Sequence, residues 1–301
     1  MSNGVRNEPT LQVLPADDAA GRESMQDQAP SRSRSGRRSR RRRAMRNALA
    51  VIVAVLALVA VVSIFWRPQG GEVKPAASLP APRAGADAAP GPRYPIESAA
   101  AALPPLDGSD AAMIASLQAV FADGANIVSY LQPQNVVRNF VTTVDNLPRR
   151  TLSTARVPLK APQGAFGATR SGETIAIDAA NALRYRPYVA LLSGADPAKL
   201  VQLYVRNYPL FQQAYRELGY PNGHFNDRLV ESIDVLLATP EQAAPVKLVQ
   251  PRIFYEFADR DLEKLPAGQK LLLRMGPDNA ATVKKKLVEI RGLVTAQPAA
   301  R

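Results

Sequence analysis

The most apolar stretch of the chain is an uninterrupted run from Ala48 to Trp66, in which nineteen residues include one serine and no charged side chain. A helix of that length is about 28 Å long and matches the hydrocarbon core of a bilayer, which is about 30 Å thick. Trp66 then falls at the far interface, where indole rings are favoured. The pattern predicts one transmembrane helix over residues 48–66, with the lipid bilayer as its partner.

Beyond residue 103 the spacing of apolar positions is mostly that of amphipathic helices, with apolar residues recurring every three or four positions. Between residues 156 and 178 the period shortens to two, which predicts a three-strand meander. A further one or two strands are expected within residues 246–257. The fold is therefore predicted to be mainly α with a small antiparallel β-meander, an α+β domain over residues 103–295. The apolar pairs of the three runs are Val157 and Leu159, Phe166 and Ala168, and Ile175 and Ile177.

Capping residues, glycines and prolines predict where the helices begin and end. Ser109 is expected to cap a first helix that Gly124 terminates. Asp196 precedes a proline at the start of a second helix, within which Pro209 should introduce a kink or a break. A third helix is predicted from the Asn-Gly pair at residue 222 to about residue 238.

Charge and composition divide the rest of the chain. Of the arginines, nine lie between Arg32 and Arg46, and like charges at that density predict a disordered cytoplasmic tail over residues 1–47. Residues 67–102 are rich in Pro and Ala and are expected to form a linker, and residues 296–301 a disordered tail. The arginines before the apolar run place the N-terminus in the cytoplasm and the domain in the periplasm of a bacterial inner membrane. A cleaved export signal is disfavoured because no cleavage site follows the run.

The residue inventory excludes several kinds of chemistry. The chain has no cysteine and one histidine, which excludes disulfide frameworks, thiolate nucleophiles and Cys-based zinc sites. No phosphate-binding loop, dinucleotide fingerprint or Gly-x-Ser-x-Gly motif occurs. We therefore predict no cofactor and no metal, and the sequence leaves catalysis open while favouring a protein that is not an enzyme.

The helix after Asn222 carries the clearest candidate site. His224, Asp227, Glu231 and Asp234 fall within about 80° of its circumference, an arrangement that suits a divalent cation or a general acid and base. The alternative is a solvated stripe, because the apolar residues occupy the opposite face and Arg228 is placed to pair with Glu231. Asn226 projects from the apolar side and is expected to bond the backbone near the start of the helix.

Tyrosines supply a second candidate surface, since seven of the nine lie between Tyr185 and Tyr255. Tyr204, Tyr208 and Tyr215 are candidates to line a groove for a glycan or a peptide. The alternative is that they mark a half-buried helix face. Three consecutive lysines at residues 284–286 are expected to be exposed.

Five stretches of the sequence resemble a known family, the domain of unknown function numbered three thousand and fourteen, which is found in proteobacterial single-pass envelope proteins. The resemblance implies an inner-membrane anchor and a periplasmic domain, and it brings no activity, substrate or catalytic residue. The stretches are Leu-Pro-Pro-Leu-Asp from Leu103, Val-Asp-Asn-Leu-Pro from Val144, Tyr-Pro-Leu-Phe-Gln-Gln-Ala-Tyr from Tyr208, Gly-Tyr-Pro-Asn-Gly-His-Phe-Asn-Asp-Arg-Leu-Val-Glu from Gly219, and Ala-Gly-Gln-Lys-Leu-Leu-Leu-Arg-Met-Gly-Pro from Ala267.

Together these observations favour a membrane-anchored periplasmic protein that acts as a non-enzymatic binding or scaffold module of the cell envelope. Its expected partner is an envelope protein or a wall polymer. The alternative is a periplasmic hydrolase that uses the carboxylates of the helix at 223–238. Nucleic-acid binding by the arginine tract ranks last, because membrane topology already accounts for that charge.

Overall fold

The structure is a computed structural model that describes residues 91–98, 102–121, 124–152, 156–243 and 245–297. The predicted arginine-rich tail, the predicted span 48–66, most of the expected linker and residues 298–301 lie outside these ranges. Within them, no helix is both long and apolar enough to cross a bilayer.

Helices carry most of the described fold, as the sequence predicts, and two short 3-10 helices accompany them at Leu106–Gly108 and Ala179–Tyr185. The α-helices are α1 (Asp110–Val120), α2 (Gly124–Tyr130), α3 (Val136–Asn146), α4 (Arg186–Gly194), α5 (Pro197–Glu217), α6 (Phe225–Leu237), α7 (Arg260–Lys264), α8 (Ala267–Arg274) and α9 (Pro277–Thr295).

The main core lies where α9 packs against α4, α5, α6 and α8, and where α3 packs against α5 and α6. Aromatic rings occupy its centre: Phe140 of α3 meets Phe211 of α5 at 5.3 Å and Phe225 of α6 at 6.0 Å between ring centroids. All three side chains are at most 1% exposed. Burying a phenylalanine contributes about 1.5 to 3 kcal/mol, so these rings fix the mutual positions of α3, α5 and α6.

A small antiparallel sheet lies beside this core. It consists of β1 (Ala168–Ser171), β2 (Thr174–Ile177), β3 (Lys247–Val249) and β4 (Glu256–Phe257), in that order. Ile175 pairs with Leu248, and Leu248 pairs with Phe257. The buried face of the sheet forms its own apolar cluster with Leu262 and Leu273.

The α+β class is confirmed, but the expected three-strand meander is corrected. The run at Phe166 and Ala168 leads into β1, and the run at Ile175 and Ile177 lies in β2, so these two runs form a hairpin. Val157 and Leu159 belong to no strand of this sheet. Residues 158–160 instead bond to residues 130–132, through Gln132 N to the Pro158 carbonyl and Lys160 N to the Tyr130 carbonyl. The alternating pattern at Val157 and Leu159 arises because both side chains are buried. Burial alone does not determine which strand a segment pairs with.

Two predicted helix boundaries also change. Gly124 begins α2 and does not terminate α1, which ends at Val120 because Phe121 turns to an extended conformation. Asp196 does cap α5, accepting a hydrogen bond from Ala198 N, but Pro209 lies inside an unbroken helix. An interior proline costs about 3 kcal/mol. Burial of apolar side chains on both sides of Pro209 offsets that cost and keeps the helix continuous.

Candidate functional site

A surface groove of about 600 Å³ runs along α6 and brings five of the sequence-predicted site residues together. Arg93, Tyr94 and His224 also line the groove. Tyr204 and Tyr208 do not line it; they lie behind it and support it. The five predicted residues in its walls are Asp227, Arg228, Glu231, Asp234 and Tyr215.

The start of α6 is held in place by Gln212 of α5. Its amide oxygen accepts hydrogen bonds from Phe225 N at 2.9 Å and from the Tyr208 hydroxyl at 2.9 Å, and its amide nitrogen donates to the Gly223 carbonyl at 2.7 Å. Gln212 thereby satisfies one of the amide groups that the first turn of a helix leaves unpaired. His224 makes no side-chain capping bond. α6 starts at Phe225, two residues after Gly223, where the helix was predicted to begin. Burial raises the pKa of the Tyr208 hydroxyl to about 12.

Asn226 connects the core to the groove. Its side chain is fully buried; its oxygen accepts a hydrogen bond from the Tyr204 hydroxyl at 3.1 Å, and its nitrogen donates to the Tyr94 carbonyl at 2.8 Å. The sequence predicts a bond from Asn226 to the backbone near the start of α6. The side chain bonds instead to a backbone carbonyl that is distant in sequence. Tyr204 is also fully buried, and burial raises its pKa well above the usual range. Tyr204 positions Asn226 and does not contact the groove.

Asp227 binds the backbone of a segment that precedes the domain. Its two carboxylate oxygens accept hydrogen bonds from Arg93 N at 3.0 Å and from Tyr94 N at 2.8 Å. We call residues 91–98 the strap. Tyr94 and Ile96 of the strap pack against the main core. Residues that the sequence assigned to the linker are thus in contact with the domain.

Asp145 of α3, which sequence reasoning missed, organises the base of the groove. Its carboxylate accepts hydrogen bonds from Arg228 Nε at 3.0 Å, Arg149 at 2.8 Å and the Tyr220 hydroxyl at 3.3 Å. Arg228 also pairs with Glu231 at 2.7 Å, as predicted. The Asp145 side chain is 7% exposed and that of Arg228 is 15% exposed, so this ion pair joins α3 to α6 largely out of water.

Asp234 at the other end of the groove pairs with Arg291 of α9. The hydrogen bond to Asp234 raises the pKa of the Arg291 guanidinium. Asp234 therefore joins α6 to α9.

The lysine tract lies elsewhere, and only Lys285 of the three is exposed. Lys284 donates to the Thr239 carbonyl, and Lys286 donates to the Ala195 carbonyl at 3.2 Å. The tract is corrected from an exposed cationic patch to a pair of partly buried contacts between α9 and neighbouring loops.

A second groove, of about 640 Å³, lies between the segment that follows α6 and the start of α9. Small apolar side chains make up much of its wall, and none of the predicted site residues lies there. Its polar and charged lining residues are Asp178, Thr239, Glu241, Gln242, Arg274, Asp278 and Lys284.

The polar groups of the α6 groove bind a bent backbone segment of the chain itself and pair with arginines. Asp227 accepts backbone amides, Asn226 donates to a backbone carbonyl, and Asp145, Glu231 and Asp234 are each paired with arginine. Among the residues that the structure describes, no three His, Asp or Glu side chains lie close enough together to hold a metal ion.

Comparison with known proteins identifies the family of this chain. Residues 136–291 match the family model described as "Protein of unknown function (DUF3014)". This segment runs from the first residue of α3 to Arg291 and so contains every groove residue that the domain itself contributes. No curated protein and no solved structure matches the chain.

Proposed function

We propose that this chain, which belongs to the DUF3014 family, is a non-enzymatic binding module of the bacterial cell envelope, with the α6 groove as its binding surface. In this proposal residues 48–66 anchor the chain in the inner membrane and the domain lies in the periplasm. The apolar run and the nine arginines before it support that topology.

The observation that carries the proposal is the use that Asp227 makes of its carboxylate. Both oxygens are occupied by consecutive backbone amides of the strap. Two consecutive amides can point at one carboxylate only where the backbone bends, as it does at Arg93 and Tyr94, so a carboxylate placed in this way binds a bent peptide segment irrespective of most of its side chains. Hydrogen bonds to an ionised acceptor are also about twice as strong as neutral ones.

The hydrolase alternative receives less support from the same carboxylates. A general base must present a lone pair to a proton of the substrate at hydrogen-bonding distance. In the groove, Glu231 and Asp234 are engaged by arginines and Asp227 by amides. This pattern favours binding over proton transfer.

The topology is tested by adding protease to spheroplasts. We expect the domain beyond residue 103 to be degraded while the tract from Arg32 to Arg46 stays protected. Protection of the domain together with cleavage of the tract contradicts the proposed orientation.

The binding surface is tested with a photocrosslinking amino acid placed in the full chain in cells, at Glu231 or at Glu289. Both glutamates pair with a cation three residues away in the same helix, and their side chains are 56% and 42% exposed. Only Glu231 lines the groove. We expect a crosslinked partner at position 231 and none at position 289. Absence of a partner at position 231, or equal capture at both positions, refutes the groove as the binding surface.

A further inference from the structure

We infer that the α6 wall of the groove recognises a short bent peptide in which a basic residue precedes a tyrosine, and that the strap is a built-in copy of this ligand, which occupies that wall until a partner displaces it. The inference rests on the proposed function, because it names the ligand class and the regulation of the same groove.

Recognition of the peptide backbone comes from Asp227 and Asn226. Together they make three hydrogen bonds to the strap: two accepted from the Arg93 and Tyr94 amides and one donated to the Tyr94 carbonyl. Neither the Asp227 nor the Asn226 side chain has to be immobilised when a peptide binds. Tyr204 holds the Asn226 amide inside the core, and Asp227 lies in the first turn of α6, where the helix dipole favours an acid. Such preorganised groups lose little entropy when a ligand arrives.

Side-chain selectivity comes from the surroundings of Tyr94. Its ring is partly buried against the core. Arg93 places its guanidinium 5.5 Å from the centre of the same ring. The groove wall also carries Glu231, which is more than half exposed. An aromatic residue preceded by a cation matches this combination of an apolar wall and an acid.

The packing of the strap indicates that it is a removable occupant. None of its residues is among the fully buried members of the core; Tyr94 and Ile96 pack only at its edge. A tethered ligand acts at an effective concentration on the order of millimolar. A free partner therefore competes once it adds contacts that the strap does not make.

The first experiment uses the full chain in detergent micelles and a fluorescent peptide with the sequence of residues 91–98, Gly-Pro-Arg-Tyr-Pro-Ile-Glu-Ser. The variant Tyr94→Ala weakens the resident strap and leaves the α6 residues Asn226 and Asp227, which bind the peptide, unchanged. We expect it to bind the peptide about tenfold more tightly than the wild type, and a peptide with alanine in place of its tyrosine to bind neither chain. Adding Asp227→Asn to Tyr94→Ala should abolish binding. Equal binding by both chains, or binding that survives Asp227→Asn, overturns the inference.

A second measurement does not depend on a groove variant that folds. The chain has no cysteine, so Ile96→Cys introduces a single thiol on the strap. An excess of the peptide should accelerate modification of this thiol by maleimide several-fold, because displacement of the strap exposes it. An unchanged rate overturns displacement.

The photocrosslink at position 231 separates this inference from the proposed function. Capture of the partner should increase in the Tyr94→Ala background. If capture is strong but unaffected by Tyr94→Ala, the groove is a binding surface and the strap does not regulate it. If peptide binding behaves as expected but position 231 captures nothing, the proposed function fails and recognition of the strap sequence stands.

Discussion

Replacing Asp145 with asparagine should destabilise the domain by about 3 kcal/mol, because the change removes the negative charge on which two arginines converge. Asparagine has nearly the same size and shape, so no cavity contributes to the loss. The partly buried guanidinium of Arg228 keeps only the exposed Glu231 as an anionic partner.

The magnitude follows from the exposure of each partner. Breaking a buried ion pair costs about 3 to 5 kcal/mol, and Arg228, at 15% exposure, lies near that regime. Its remaining bond with Glu231 lowers the cost toward the bottom of the range. Arg149 is 48% exposed and regains water, so its share is at most about 1 kcal/mol.

Urea denaturation followed by far-ultraviolet circular dichroism measures this loss. Tryptophan fluorescence is unsuitable, because the only tryptophan is Trp66, which lies outside the described domain. For a domain of this size, 3 kcal/mol corresponds to a decrease in Tm of roughly 6 to 12 °C. Asp261→Asn is the control, since Asp261 forms an exposed pair with Lys264, and it should produce no measurable change. If both variants are equally stable, the link between α3 and α6 through Asp145 does not contribute to stability.

Two further predictions concern packing and alkaline pH. Gly268→Ala should destabilise the domain by about 1 to 3 kcal/mol, because an added Cβ would lie 2.6 Å from a methyl group of the buried Leu236. Gly292→Ala, in open space within α9, should stabilise the domain by about 0.5 to 1 kcal/mol. Urea denaturation curves of the two variants that coincide with that of the wild type contradict both predictions. Burial raises the pKa of several tyrosines, and that of Tyr208 reaches about 12. The buried neutral hydroxyl of Tyr208 therefore contributes its full stabilisation below pH 10, and this contribution is lost as the pH rises toward 12. Ultraviolet titration of the tyrosines should therefore show fewer than nine ionising in the ordinary range until urea is added, whereas nine at once refutes the burial. The other tyrosines whose pKa is raised are Tyr185, Tyr188, Tyr204 and Tyr215.

The sequence predicts one wall of the groove but not its occupant. The 3.6-residue period places Asp227, Glu231 and Asp234 on one side of a helix, and the structure brings them to one groove. Tyr94 lies in a stretch rich in Pro and Ala, where no periodicity marks it as a contact residue. Its hydrogen bonds run to residues more than 130 positions away, and local patterns carry no information at that distance.

Asp145 was missed for the same reason, although a local signal was present. It follows Val144 within an apolar stretch of α3, and an acid at such a position requires a partner once it is buried. The partner, Arg228, is 83 residues further along the chain. The pattern can therefore indicate that Asp145 is paired but cannot identify the residue that pairs with it.

The position of α9 has a consequence for how the protein is made. Its buried residues Val283, Leu287, Ile290 and Val294 complete a core whose other walls are α4, α5, α6 and α8. A ribosome produces those four helices first, so their apolar faces have no cover until residues 283–294 have been synthesised. The domain therefore cannot complete its fold until residues 283–294 have left the ribosome. A chain interrupted before residue 277 would present exposed apolar surface to chaperones and proteases.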